Sequence, residues 1–252
     1  MNHEANLKKI DILRAEIDAL GPLDPAQLKN IDEWYTVELT YTSNALEGNT
    51  LTRQETAQVI EKDISVEGKS LRELLEAKNH AAAIEYIRGL SRNGNAAQKV
   101  SLGIILDIHA RILSGIDDAN AGKLRTVPVR ISGSSAIMPN PVKVPELMQD
   151  FISWIEKETV HRVRYAIEAH YKFVSIHPFT DGNGRTARLL MNLILNKAGY
   201  PALIIPKELR SGYVISLEKS QTTEETDEHN QFMYERMIDS MKEYIRMVTG
   251  DM

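Results

Sequence analysis

The sequence predicts a mainly α-helical protein with one small β-hairpin. Apolar residues recur at helical spacing along most of the chain. Capping signals open several of those segments, and only one stretch alternates at the two-residue period of a strand.

From Asn2 to Leu20 the apolar positions are Leu7, Ile10, Leu13, Ile17 and Leu20, and Gly21-Pro22 stops the pattern. Asp24-Pro25-Ala26-Gln27 reads as an N-cap, a proline at the first helical position and a capping-box glutamine. The helix they open carries Leu28, Ile31, Trp34, Tyr35, Leu39 and Thr42 and ends after Leu46 at Gly48-Asn49. Two further capping boxes follow, Thr52 with Glu55 and Ser70 with Glu73. The second opens a helix through Ala77, His80, Ala81, Ile84 and Ile87 that fades at Gly94-Asn95. Another helix is predicted from about Gln98 to Leu113, with Leu102, Ile105, Ile108, His109 and Ile112 on one face. Four of the nine prolines then fall between Gly122 and Pro145. Within that span Val127-Pro128-Val129-Arg130-Ile131, followed by Gly133, alternates as a strand would; Pro128 makes it an edge. Helical pattern returns over 145–158, 163–175, 184–198, 207–220 and 227–248. Gly199 and Pro201 mark a firm stop. Trp34 and Trp154 read as packing residues, and the stripe Met233, Met237, Met241 and Met247 as core or an oligomer contact.

With 252 residues the chain is long enough for one domain, or one domain with an extension. It can bury roughly 70–75% of its unfolded surface without disulfides or structural metals. Cysteine is absent, which excludes disulfide frameworks, thiolate nucleophiles and Cys-ligated zinc. Thirty basic residues against 35 acidic ones give a net charge of −5, so neither nucleic acid nor an anionic membrane is an expected partner. No run approaches the ~18 apolar residues of a spanning helix, and residues 1–20 are charged throughout, unlike a signal peptide. The expected localisation is cytoplasmic.

The chemistry is concentrated in Ile176-His177-Pro178-Phe179-Thr180-Asp181-Gly182-Asn183-Gly184-Arg185-Thr186-Ala187-Arg188. Pro178 blocks clean continuation of the preceding helix, so His177 stands at a helix-to-loop junction. Gly182 and Gly184 flank Asn183 at the start of the next helix, where bare backbone N–H groups and the helix dipole favour an anion. Arg185 and Arg188, spaced i,i+3, direct two guanidinium groups to that anion; arginine in a first turn otherwise opposes the dipole. Asp181 is a hard carboxylate of the kind Mg²⁺ takes when phosphate supplies the other oxygens. His177 has the ordinary pKa, near 6.5, of a general base. A base, a metal carboxylate, an anion hole and two phosphate arginines are the parts of phosphoryl-type transfer. Each alone has an ordinary structural explanation; no structural need explains them together. His170, seven residues before His177, would share a helical face with it, and His109 would complete a metal site, but a buried or hydrogen-bonded His170 is the better explanation.

His177 to Arg188 resembles the Fic motif, H-P-F-x-D/E-G-N-G-R-x-x-R, at every defined position. Gly122-Lys123-Leu124-Arg125-Thr126 and Ala198-Gly199-Tyr200-Pro201 extend the resemblance over roughly residues 100–245. It implies a Fic-type helical bundle with a hairpin flap, occupying 99–248, and an N-terminal helical region over 1–98. It implies transfer of AMP from ATP to a protein Ser, Thr or Tyr hydroxyl, with Mg²⁺. On this resemblance His177 is the base, Asp181 holds Mg²⁺, and Gly182, Asn183, Gly184 and Arg185 bind the phosphates. Arg188 holds the γ-phosphate. Val129, Arg130, Ile131 and Ser132 form the flap that aligns the target segment. Tyr213 and Gln221 fall at adenine-pocket positions, Gln221 where the family often has Asn. The G-N-G loop favours AMP transfer over the phosphate transfer of the Doc branch.

Ser43-Asn44-Ala45-Leu46-Glu47-Gly48 resembles the family's inhibitory motif, S/T-x-x-x-E-G/N, in the arrangement that lies N-terminal to the core. It implies that Glu47 pairs with Arg188 and keeps the γ-phosphate out. The expected partners are ATP and a target protein, with self-modification and a homo-oligomer as further expectations. The rival functions are removal of AMP from a modified protein and a non-enzymatic nucleotide sensor.

Overall fold

Local sequence signals set most helix boundaries. The computed structural model describes residues 3–92, 99–131, 133–157 and 160–250; Asn2, Gly94, Asn95, Gln98, Ser132 and Glu158 lie outside them. Helix α1 spans His3–Ala19. Helix α2 (Pro25–Leu46) opens on a complete capping box: Asp24 accepts from the Ala26 and Gln27 N–H groups, and the Asp24 N–H donates to the Gln27 side chain. Thr52 with Glu55 opens α3 (Arg53–Lys62), and Ser70 with Glu73 opens α4 (Leu71–Ser91), in the same way. Helix α5 (Leu102–Leu113) starts later than its apolar pattern suggests because Ser101 takes the N-cap and accepts from the Ile104 N–H. Then come α6 (Val144–Ile155), α7 (Arg162–Ile176), α8 (Asn183–Lys197), α9 (Arg210–Thr223) and α10 (Asp227–Thr249).

Helix α8 is the centre of the bundle. Of its 15 residues 12 are buried, which leaves no solvent-facing stripe and requires neighbours on every side. Helices α7, α4, α5 and α2 supply them, while α1 packs against α10. One continuous apolar core runs from Leu7 and Ile10 of α1 through Ile105 and Ile108 of α5 to Leu190 of α8 and Met237 of α10. The N-terminal helices thus share the core of the rest of the chain. Met233, Met237 and Met241 are buried, and Trp34 and Trp154 pack against the core from its margin. No described helix is long and apolar enough to cross a membrane.

The expected hairpin does not form: among the described residues there is no β-strand. A turn does close between the Ser134 N–H and the Ile131 carbonyl, at 3.1 Å. A ladder needs a partner with free backbone groups, and Pro128 removes one donor from the short alternating run. Side chains hold the loop instead. Arg125 donates to the carbonyls of Val127 and Pro139 at 3.1 and 2.7 Å, and Glu218 of α9 accepts from the Ser135 N–H and hydroxyl. In this irregular loop Val129 and Ile131 are half-buried and Val127 is exposed, so the alternation is only partly kept.

Candidate active site

The turn between α7 and α8 is built on Phe179. Its side chain is fully buried, 6.1 Å from Phe173 and stacked at 3.6 Å on His109. Asn183 clamps the turn: its carboxamide accepts from the Phe179 N–H and donates to the Phe179 carbonyl, both at 2.9 Å. Its side chain therefore shapes the loop, leaving its backbone N–H as its contribution to an anion hole. His109 holds the far side. Its Nδ1 accepts from the Gly122 N–H and its Nε2 donates to the Asp181 carbonyl, each at 3.0 Å, which requires the neutral ring. Burial agrees, pushing the His109 pKa down to about 4.

His177 ends α7 in the left-handed conformation, φ 51°, and its N–H closes on the Phe173 carbonyl. Nδ1 lies 3.4 Å from the Val174 carbonyl, so Nδ1 carries the hydrogen and Nε2 the lone pair. Burial holds the His177 pKa below the ordinary imidazole range, aided by the Arg125 charge and opposed by the Val174 carbonyl, Glu47 and Asp181. Arg125 also donates to the His177 carbonyl at 2.7 Å, tying the imidazole's backbone to the loop over 127–139.

Helix α8 starts at Gly182, φ 75°, with no side chain capping it. A Cβ on Gly182 would press on the His109 ring at 3.3 Å, and one on Gly184 would overlap the Glu47 carboxylate. The space above Gly184, beside the uncapped N–H groups, already holds a carboxylate. Arg188 is buried and Glu47 lies 2.7 Å from its Nη2; the same guanidinium donates to the Ser43 hydroxyl at 3.0 Å and the Ser43 carbonyl at 2.9 Å. The pairing of Glu47 and Ser43 with Arg188 is thus present, with the bidentate contact shared between two residues. The end of α2 is fixed by Arg210 on the Leu46 carbonyl at 2.8 Å and by Asn44 and Asn49 on the carbonyls of Glu76 and Glu73.

Asp181 is half-exposed. Its Oδ1 accepts from the Gly182 N–H at 2.6 Å and lies 3.5 Å from Arg185, while Oδ2 is 2.7 Å from Arg72. Burial alone would raise its pKa, but Arg185, the Gly182 N–H and Arg72 together hold it below the usual carboxylate range. Among the described residues no cluster of three or more acidic, His or Cys residues forms a metal cage. One half-exposed, ionised carboxylate fits an Mg²⁺ that takes its other oxygens from a nucleotide. Arg185 is buried, 3.3 Å from Glu76.

Val129 and Ile131 are half-buried and Arg130 is exposed on the loop; Ser132 lies outside the described residues. The Tyr213 ring is buried, not open to the site: its hydroxyl lies 2.8 Å from Nε2 of His170. His170 is therefore a buried hydrogen-bonded residue, as expected. Gln221 donates to the Val174 carbonyl at 3.2 Å, against the turn of α7 that carries His177. Sequence reasoning missed Arg72, Glu76 and Arg125. The stretch 122–126 pointed to Arg125 without a role; nothing local distinguished the other two from ordinary surface charges.

A model of the Fic/DOC family matches residues 99–195. Protein adenylyltransferase Fic of Drosophila willistoni and that of Drosophila melanogaster are each 40% identical over 215 residues, 83% of this chain. The chain spans 42% of the length of those relatives. Fic-1 (aa134–508) from C. elegans superposes with a TM-score of 0.84 at 32% identity, covering 97% of this chain and 71% of that one. A Fic domain containing signaling protein from Bacteroides thetaiotaomicron gives 0.85 at 26% identity, covering 97% and 99%. The N-terminal helices therefore match along with the motif-bearing core, and the chain belongs to the Fic/DOC family.

Proposed function

We propose that the protein is an Mg²⁺- and ATP-dependent adenylyltransferase that modifies a Ser, Thr or Tyr hydroxyl of a protein, and that its resting state is self-inhibited. One observation carries the reading: a single turn joins an imidazole whose Nδ1 lies against the Val174 carbonyl to an uncapped helix N-terminus that bears two buried arginines in its first turns. The adenylyltransferase relatives support the same reaction class.

The target hydroxyl gives its proton to His177 Nε2 as its oxygen bonds to the α-phosphorus of ATP. The bond from that phosphorus to the α–β bridging oxygen breaks, and pyrophosphate leaves with the electron pair. The N–H groups of Asn183 and Gly184 and the Arg185 guanidinium take up the charge that develops on the phosphate oxygens. Mg²⁺ on Asp181 would neutralise the leaving pyrophosphate. Arg188 receives the γ-phosphate once Glu47 withdraws. Until then the Glu47 carboxylate lies on that arginine over Gly184, the seat of a phosphate oxygen.

The test is transfer of label from α-phosphate-labelled ATP by wild type, Glu47→Gly and Glu47→Gly/His177→Ala, each alone and in cell lysate. Label on protein with Glu47→Gly, reduced about 10²–10⁴-fold in the double variant, supports the reading. ATP binding without label in any lane refutes transfer.

A further inference from the structure

We propose that Arg72 is a second inhibitory group, an internal cation on the carboxylate that the metal needs, so that the N-terminal helices fill the site with both halves of a metal–phosphate pair. Glu47 supplies the anion on Arg188, and Arg72 supplies the cation on Asp181. The proposal rests on the adenylyltransferase reading for what Asp181 and Arg188 bind.

Arg72 is the second residue of α4, in the first turn, where the helix dipole disfavours a guanidinium. Its partner there is on another element: Nη2 lies 2.7 Å from Asp181 Oδ2. The other oxygen of Asp181 is turned inward, to the Gly182 N–H and Arg185. Oδ2 is thus the oxygen left for an arriving cation, and Arg72 occupies it. A divalent ion coordinates carboxylate oxygen at about 2.0–2.1 Å, so it and the guanidinium cannot share that oxygen at full strength.

Glu76 aims the side chain. One turn along α4, its Oε1 sits 3.3 Å from Arg72 Nε and 3.3 Å from Arg185 Nη1. Arg72, Asp181, Arg185 and Glu76 therefore form a closed ring of alternating charge. The ring is joined to the first brake through Asn49, two residues after Glu47, whose carboxamide donates to Glu76 Oε2 at 2.9 Å and to the Glu73 carbonyl at 3.1 Å. Withdrawal of the Glu47 segment from Arg188 pulls on the carboxylate that orients Arg72. One displacement of the end of α2 against α4 loosens both contacts.

The Arg72 and Asp181 side chains are 57% and 46% exposed. Such a pair is a weak, reversible competitor, and the expected effect is a few-fold change in metal affinity. The experiment titrates Mn²⁺ into the full chain with a non-hydrolysable ATP analogue, following free Mn²⁺ by electron paramagnetic resonance. Wild type, Arg72→Gln, Arg72→Lys and Asp181→Asn are compared, with thermal melting as the folding control. Arg72→Gln should bind Mn²⁺ about two- to fivefold tighter, the range an exposed ion pair contributes. Arg72→Lys should stay within twofold of wild type, and Asp181→Asn should lose the site. Unchanged or weaker binding in a folded Arg72→Gln protein overturns the second brake and leaves the transferase reading standing. Absence of any Asp181-dependent Mn²⁺ site overturns both. Tighter binding in a protein whose Glu47→Gly form transfers no AMP supports the brake and refutes the transferase.

Discussion

Replacing Glu47 should change how the protein discriminates ATP from ADP. Arg188 is only 6% exposed, and its Nη2 is shared between the Ser43 carbonyl at 2.9 Å and Glu47 at 2.7 Å. A charge-assisted hydrogen bond contributes about 1.5–3 kcal/mol when desolvated. Glu47 keeps 40% of its side chain in solvent, which lowers the figure to about 1–2 kcal/mol. A γ-phosphate must break that contact to reach Arg188, whereas ADP has no group to place there. Glu47→Gly should therefore tighten ATP binding by about 5–30-fold while ADP changes less than about twofold. The assay is calorimetric titration of both nucleotides with Mg²⁺, in a His177→Ala background so that no AMP is transferred. Equal gains for ATP and ADP, or none for either, would refute the competition argument. The fold should tolerate the change. Position 47 has φ −92° and ψ 1°, Ser43 still holds Arg188, and Arg210 still caps α2. A loss of about 1–2 kcal/mol corresponds to a fall in Tm of about 2–8 °C; a much larger fall would mean that Glu47 is chiefly structural.

Three other outcomes follow from the same geometry. Asn183→Ala leaves the buried Phe179 N–H and carbonyl without their partners and should cost about 2–4 kcal/mol in urea unfolding, with AMP transfer lost as the turn loosens. His177 is held below the ordinary imidazole range, so it is neutral at pH 7, and the acid limb of the kcat/KM profile of Glu47→Gly should lie below pH 6.5. His109 and His229 each titrate near pH 4 when folded against 6.5 when unfolded. Between those values the unfolded chain binds more protons, so stability is full above pH 6.5 and each group removes about 3 kcal/mol as the pH falls to 4. Denaturant midpoints measured across that window should fall steeply, and His229→Gln should flatten the slope by one group's share.

Much of this molecule is written in short range. The caps at Asp24, Thr52 and Ser70 complete themselves within three residues, and the helices start where they predict. The stretch from His177 to Arg188 is likewise contiguous, so its bend, its glycines and its two arginines follow from neighbouring residues. The alternation over Val127–Ile131 predicts a strand, but a strand exists only with a partner, and among the described residues no segment pairs with this one. Tyr213 aligns with an adenine-pocket position, yet packing buries the ring and turns its hydroxyl onto His170.

The sequence by itself determined the helices, the reactive turn and, through a family likeness, the pairing of Glu47 with Arg188. Only the tertiary structure decided that Asn183 clamps the loop, that Arg125 ties His177 to the neighbouring loop, and that Arg72 lies on Asp181, 109 residues away. Side-chain spacing reports contacts within a helical turn. Contacts between distant charges depend on how whole helices pack around α8, and a surface arginine on α4 carries no local mark of the carboxylate it will meet.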